Sequence, residues 1–281
     1  MVDDLVSIVM PMKNAACTLD AAIRSVVQQG WSQWELLIVD DLSSDDSLGL
    51  ARQWAVMDPR IRVVASPVAL GPAAARNLAL DQAAGRYLAF LDADDLWESN
   101  KLQIQLKAMR ATGSPLAFSS YAQFHHGAHE GWVYQAPSST TFAEMLGGSV
   151  IGCLTVVIDR SIIKAIQFDD GRNVLPKTMW RHLYSFIGHE DYVAWMRALK
   201  QIEGAGCLPP IGVPQPLGYH RLRPGSFSSS KIRVAGHQWF IYRHMLMLSY
   251  PRSLWCFARY ALRSLRKRFD RRSRLTIPEF V

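Results

Sequence analysis

Nothing in this chain of 281 residues pairs its cysteines. The four, Cys17, Cys153, Cys207 and Cys256, are scattered without CxxC or Cys/His spacing, which argues against a disulfide scaffold or a zinc site and suits reduced thiols. No uncharged apolar run reaches the roughly 18 residues of a spanning helix; residues 147–158 come closest and are too short. The opening MVDDLVSIVM is acidic where a secretory signal would be basic, so a cytosolic chain is expected. No GxGxxG follows the first apolar run, which removes the usual dinucleotide-binding reading. The chain also lacks an even spread of charge. Nine of its basic residues and a single aspartate fall between Arg252 and Arg274, so that stretch alone outweighs the net charge of +7.

What is present is alternation. LVSIVM, WELLIVDD, RIRVVAS and RYLAFLD read as strands, and AACTLDAAIRSVVQQ, SSDDSLGLARQWAVM and GPAAARNLALDQAAG between them read as helices. Continuous apolar strands separated by helices predict an α/β fold with a mostly parallel central sheet covered on both faces. After the helix NKLQIQLKAM the pattern loosens into SPLAFSSYAQF, GWVYQAP and CLTVVIDRS, expected as shorter mixed strands. GAGCLPPIGVPQPLGYHRLRPGS is expected to be extended or looped, and helix returns from Lys231.

Such sheets bind ligands outside the carboxyl ends of their strands. That places Asp40 and Asp41, Asp92 and Asp94, and the PMKN stretch on one rim. Asp92, Asp94 and Asp95 crowd together at a strand end, where carboxylates repel and lose solvation, so a cation or hydrogen-bonding ligand is the usual compensation. A helix beginning near Glu98 and capped by Asp94 or Asp95 is the plainer alternative. Glu190 and Asp191, in GHEDYVAW, form a second carboxylate pair that would also suit a helix start.

In their order and spacing, VSIVMPMKNAACTLDAAIRSVVQQGWSQWELLIVDDLSSDDS, GPAAARNLALDQAAGRYLAFLDADDLW, IGCLTVVIDRS, HEDYVAWMRAL and YHRLRPGSFSSSK resemble the inverting family 2 glycosyltransferases that build bacterial O-antigen, capsule and related surface polysaccharides. The resemblance runs over residues 5–250 and implies a GT-A, Rossmann-like nucleotide-diphospho-sugar transferase fold with C-terminal helices. It implies a catalytic domain over residues 1–230, with a nucleotide-sugar half (1–112) and an acceptor half (113–230), then a helical basic region over 231–281. By the same resemblance Asp92-Ala93-Asp94 is the DxD motif, with Asp94 ligating Mn²⁺ or Mg²⁺ and Asp92 meeting metal, ribose or both. Pro11, Met12 and Asn14 would approach the nucleoside, Asp40 or Asp41 the uracil, and Arg76 the base or phosphates. Met12-Lys13-Asn14 stands where the family often has Thr-Tyr-Asn, which removes the expected aromatic stack. Asp191 would be the base, ionised without a large pKa shift, with Glu190 orienting hydroxyls; Asp169 and Asp170 are next in line. Arg221 and Arg223 would clamp the diphosphate. The donor expected is a UDP-hexose or UDP-N-acetylhexosamine, and the acceptor a glycan or a polyprenyl-diphosphate-linked sugar.

A sugar nucleotidyltransferase would need a glycine-rich loop with Arg and Lys for a triphosphate, which VMPMKNAAC lacks, and a scaffold that had lost its chemistry would have little use for two carboxylate pairs. His125, His126 and His129 in HHGAHE read as a hairpin turn rather than a metal site. Leu254, Phe257, Ala258, Ala261, Leu262, Leu265 and Phe269 recur at helical spacing among Arg259, Arg263, Arg266, Lys267 and Arg268. A basic amphipathic helix of this kind is expected to attach peripherally to the inner face of the plasma membrane or to pack on the domain, with no nucleic-acid partner.

Overall fold

The computed structural model describes residues 2–125, 127, 128, 130–169, 190–222, 231–266 and 273–277. Arg223, His126, His129, Asp170 and the 172–188 segment therefore lie outside the described residues. The first half alternates as the hydropathy predicts: β1 (Val2–Met12), α1 (Leu19–Val27), β2 (Trp34–Asp40), α2 (Ser47–Met57), β3 (Ile61–Ala65), α3 (Pro72–Asp81) and β4 (Gly85–Phe90). These strands run parallel in the order β3-β2-β1-β4.

The alternation within each strand shows why both faces are covered. Val9, Leu37, Val39, Leu88 and Phe90 point into one core, with α3 above them. Ile8, Met10, Leu36, Ile38, Ala89 and Leu91 point into the other, against α1 and the next helix, α4. Side chains that alternate between two buried faces leave no solvated side, which is why the runs read as continuously apolar.

The second half comprises β5 (Leu96–Trp97), α4 (Lys101–Thr112), β6 (Leu116–His125), β7 (Glu130–Tyr134), α5 (Phe142–Met145), β8 (Val157–Asp159), α6 (Glu190–Gly204), β9 (Ile211–Leu222), α7 (Lys231–Phe240), α8 (Tyr250–Arg266) and β10 (Arg274–Thr276). The β8 strand joins β4 antiparallel and β6 continues the sheet, so the parallel core is extended by a mixed wall. Helix α6 adds Tyr192, Val193, Trp195 and Met196 to the α3 side of the core.

Two later segments complete the sheet. The Pro-rich stretch is mostly strand: β9 pairs with β6, and its register slips around Pro214 and Pro216, where a residue without an N–H interrupts the ladder least at a bulge. The C-terminal region is not wholly helical, because β10 returns to pair with β7.

Candidate active site

Strand register builds the rim. Met12 pairs with Asp40, and Val9 with Phe90, so Asp92, two residues further on, stands level with Pro11. A cavity of about 280 Å³ opens there, lined among others by Pro11, Met12, Asp41, Arg76, Asp92 and Asp94. Ala93, also on its wall, is held from behind by the Thr18 hydroxyl, which donates to its carbonyl at 2.9 Å.

The paired aspartates of β2 divide their work. Asp41 accepts from the amides of Leu70 and Gly71 and from Lys13 Nζ at 3.2 Å, so its carboxylate ties down the entry to α3. Gly71 sits there at φ +79°, a conformation that costs a side-chain-bearing residue strain. Asp40 accepts only a 3.3 Å bond from Ser43 N, while its Oδ1 is buried with no partner among the described residues. Asn14 lies off the cavity. It adopts φ +49°, and its Oδ1 accepts from Ser44 N at 2.8 Å, so it joins two loops.

Arg76, on α3, is not a solvated helix arginine: its side chain is 5% exposed and bridges Asp92 at 2.6 Å and Glu190 at 2.5 Å. Its neighbour Asn77 clasps the backbone of Phe168, donating to the carbonyl at 2.8 Å and accepting from the amide at 2.9 Å. The Phe168 ring then lies 5.2 Å from the guanidinium and packs edge-on against Phe90. The two residues of "RN" thus have separate tasks: one joins carboxylates, the other fixes the floor beneath them.

Glu190 and Asp191 open α6, as expected of acidic residues at a helix start. The Asp191 carboxylate accepts from Tyr192 N at 2.7 Å. Burial, reinforced by the Glu190 charge and offset in part by Arg76, pushes its pKa up to about 7. The expectation of an unshifted acid is corrected, because sequence cannot reveal desolvation. Asp169 is paired with Arg197 at 2.8 Å.

The helix-cap reading of the aspartates also fails, since α4 starts only at Lys101 after Asn100. Asp95, 2% exposed, instead fastens β9 to the rim: its Oδ1 accepts from Arg221 N at 2.8 Å, and a carboxylate oxygen lies 3.3 Å from His220 Nδ1. Arg221 Nε donates to the Asp94 carbonyl at 2.9 Å, bracing the motif's backbone. The Asp95 charge raises the pKa of His220 to about 9. A folded-state value above the unfolded one means that the pair stabilises fully below about 6.5 and that this is lost as pH rises through about 9. In Asp95→Asn the His220 titration, followed by NMR, is expected to fall toward about 6.5.

The donor set suits a hard cation. Asp92, Glu190 and Asp191 gather around one guanidinium, Asp94 lies on the wall of the same cavity as Asp92, and oxygen ligands favour Mg²⁺ or Mn²⁺. Among the described residues no three His, Cys, Asp or Glu side chains could hold a metal by themselves.

The sequence profile described as glycosyl transferase family 2 matches residues 7–155. A Bacillus subtilis protein named as a glycosyltransferase of teichuronic acid biosynthesis is 35% identical over 94% of this chain and 97% of its own. An Escherichia coli UDP-Glc:alpha-D-GlcNAc-diphosphoundecaprenol beta-1,3-glucosyltransferase is 35% identical over 84% of this chain and 85% of its own. Among solved structures, a mannosyltransferase from Pyrobaculum calidifontis in complex with GDP-Man and Mn²⁺ superposes with a TM-score of 0.63 at 15% identity, covering 95% of this chain and 75% of that one. At that identity the likeness shows the shared GT-A architecture.

Proposed function

The chain belongs to glycosyl transferase family 2, and from that premise we propose that it moves a sugar, with inversion, from a UDP-hexose or UDP-N-acetylhexosamine to a polyprenyl-diphosphate-linked acceptor in bacterial surface polysaccharide synthesis. The observation that carries this reading is the Arg76 bridge, which holds a donor-rim carboxylate, Asp92, in one ionic cluster with Glu190, beside Asp191.

The diphosphate lies across the rim in this reading, with Asp40 Oδ1 left to accept from the base and Met12 and Pro11 beneath the nucleoside. Asp94 and Asp92 would hold Mn²⁺ or Mg²⁺, which supplies Lewis-acid stabilisation of the leaving diphosphate. Asp191 takes the proton of the acceptor hydroxyl as that oxygen attacks the anomeric carbon on the side opposite the diphosphate. The bond to the diphosphate breaks, its electron pair leaves with the nucleotide, and the configuration inverts. Glu190, fixed by Arg76, keeps Asp191 in place and orients sugar hydroxyls. The charged His220 and Arg221 close the positive side of the rim. Among the described residues no helix is long and apolar enough to cross a membrane, and the lipid-linked acceptor implies peripheral work at the inner face of the plasma membrane.

A thermal-shift panel of UDP-glucose, UDP-N-acetylglucosamine and GDP-mannose, each with and without Mn²⁺, tests the donor and metal together. One UDP-sugar should raise Tm only when metal is present, and Asp94→Asn should lose that metal-dependent increment while keeping its own Tm. Stabilisation by GDP-mannose alone would replace the donor assignment, and an undiminished increment in Asp94→Asn would remove the metal role. The proton-transfer role predicts that kcat/KM climbs as pH rises through about 7, where Asp191 ionises, and then levels off.

A further inference from the structure

Helix α8 has two apolar faces, and the fold covers only one. Ser253 and Cys256 are buried, and Phe257 meets Trp239 of α7 edge-on at 5.8 Å. Gly147 and Gly148 admit this face closely: a Cβ on Gly148 would lie 3.2 Å from the Tyr260 ring. The opposite face is bare. Tyr250, Leu254 and Leu262 recur at four-residue steps with exposures of 65%, 60% and 59%, and Trp255 beside them is 65% exposed. Met247, just before the helix, reaches 78%. The stripe expected from sequence is split: Leu254 and Leu262 turn outward and are joined by Trp255, while Phe257 turns inward.

Arginines flank the bare face. Arg259 and Arg263 reach only backbone carbonyls of Ala143 and Glu144, at 3.5 Å, and among the described residues neither they nor Arg252 pairs with a carboxylate. The Glu144 carboxylate accepts from Thr141 in a capping box. Arg259 and Arg263 line a concavity of about 400 Å³ that also holds Ser139, Thr140 and the single acid Glu144, outnumbered by the two arginines, and has the exposed Leu262 in its wall. A basic hollow beside an exposed leucine matches a phosphate headgroup carried on an acyl chain.

We propose that this outward face of α8 docks on the surface of a bilayer containing anionic phospholipid. Leu254, Trp255 and Leu262 enter the interfacial layer, and Arg252, Arg259 and Arg263 meet headgroup phosphates. A second copy of the chain is a poorer occupant, because a two-fold contact through this face would set each arginine group against its own copy. The helix is also wired to the site. It packs on residues 143–148, where Met145 O accepts from the Tyr192 hydroxyl at 2.8 Å, next to Asp191 in sequence. Docking therefore presents the acceptor side to the bilayer, a consequence that rests on the lipid-linked acceptor proposed above, whereas the docking itself does not.

Flotation of the full-length protein with phosphatidylcholine vesicles, with and without phosphatidylglycerol, tests the inference. Binding to the anionic vesicles is expected to be about tenfold tighter or more and to weaken with salt. Leu254→Asp/Leu262→Asp should cut vesicle binding at least about tenfold. Both changes are at exposed positions, so Tm and transfer to a soluble acceptor analogue should stay at wild-type levels; loss of that transfer in the wild type would instead count against the proposed function. Unchanged flotation of the double variant overturns the proposal. So does binding only to vesicles doped with polyprenyl diphosphate, which would make the face an acceptor site, or a wild-type dimer that the double variant dissolves.

Discussion

Asp191→Asn lowers sugar transfer by a factor of about 10² to 10⁴, the usual worth of a positioned general base. The change preserves volume and removes only the capacity to take a proton, and the donor rim at Asp92 and Asp94 belongs to a different element. Donor affinity and the metal-dependent thermal shift should therefore remain near wild type while kcat collapses. Stability moves the other way. A carboxyl whose folded pKa lies near 7, above its ordinary value of 3.8, favours the fold while protonated, and that contribution is lost as pH rises through about 7. At pH 8 the amide carries no such burden, so Asp191→Asn should melt no lower than wild type. Calorimetry at pH 8 beside single-turnover kinetics checks both halves. A near-normal rate in this variant with an inactive Glu190→Gln would exchange the two roles.

The parts legible in the sequence were those set by periodicity and by strand ends. Val9, Leu37 and Phe90 alternate with Ile8, Leu36 and Ala89 across two buried faces, so the parallel core could be read from runs of apolar residues alone. The placement of Asp41, Asp92 and Asp94 at one rim followed from strand direction. What stayed hidden depends on contacts between residues far apart in the chain. The His220 partnership with Asp95 spans 125 positions and the Arg76 bond to Glu190 spans 114. No local pattern announces either. A distant contact also tells Asp40 from its neighbour Asp41: both end a strand, and only the loop at Leu70 and Gly71 reveals that Asp41 is engaged while Asp40 keeps a bare oxygen. Helix α8 shows the limit of a helical wheel. Spacing can find an apolar stripe, but which stripe the domain covers depends on where Gly147 and Gly148 let the helix approach.

Arg76→Met is expected to cost about 3–5 kcal/mol of stability, because it removes the cation that bridges Asp92 and Glu190 in a site where the Glu190 side chain is 8% exposed. Asp92, 34% exposed, recovers much of its solvation and contributes less to the loss. For a chain of this size the penalty corresponds to a fall in Tm of roughly 10 °C. The chemical consequence is separate and carries its own sign. Arg76 is the cation that draws the Asp191 pKa down toward 7 against burial and the Glu190 charge, so its removal pushes that pKa higher. The rise of kcat/KM with pH should then shift above 7, and activity at neutral pH should fall even in the fraction that remains folded. Arg76→Lys separates the two effects. An ammonium restores the positive charge but lacks the planar fork that reaches Asp92 and Glu190 together, so it should bring the pH profile part of the way back while leaving most of the stability loss. A Met variant with a wild-type pH profile would show that the bridge is only a structural brace, and that Asp191 is tuned by burial without it.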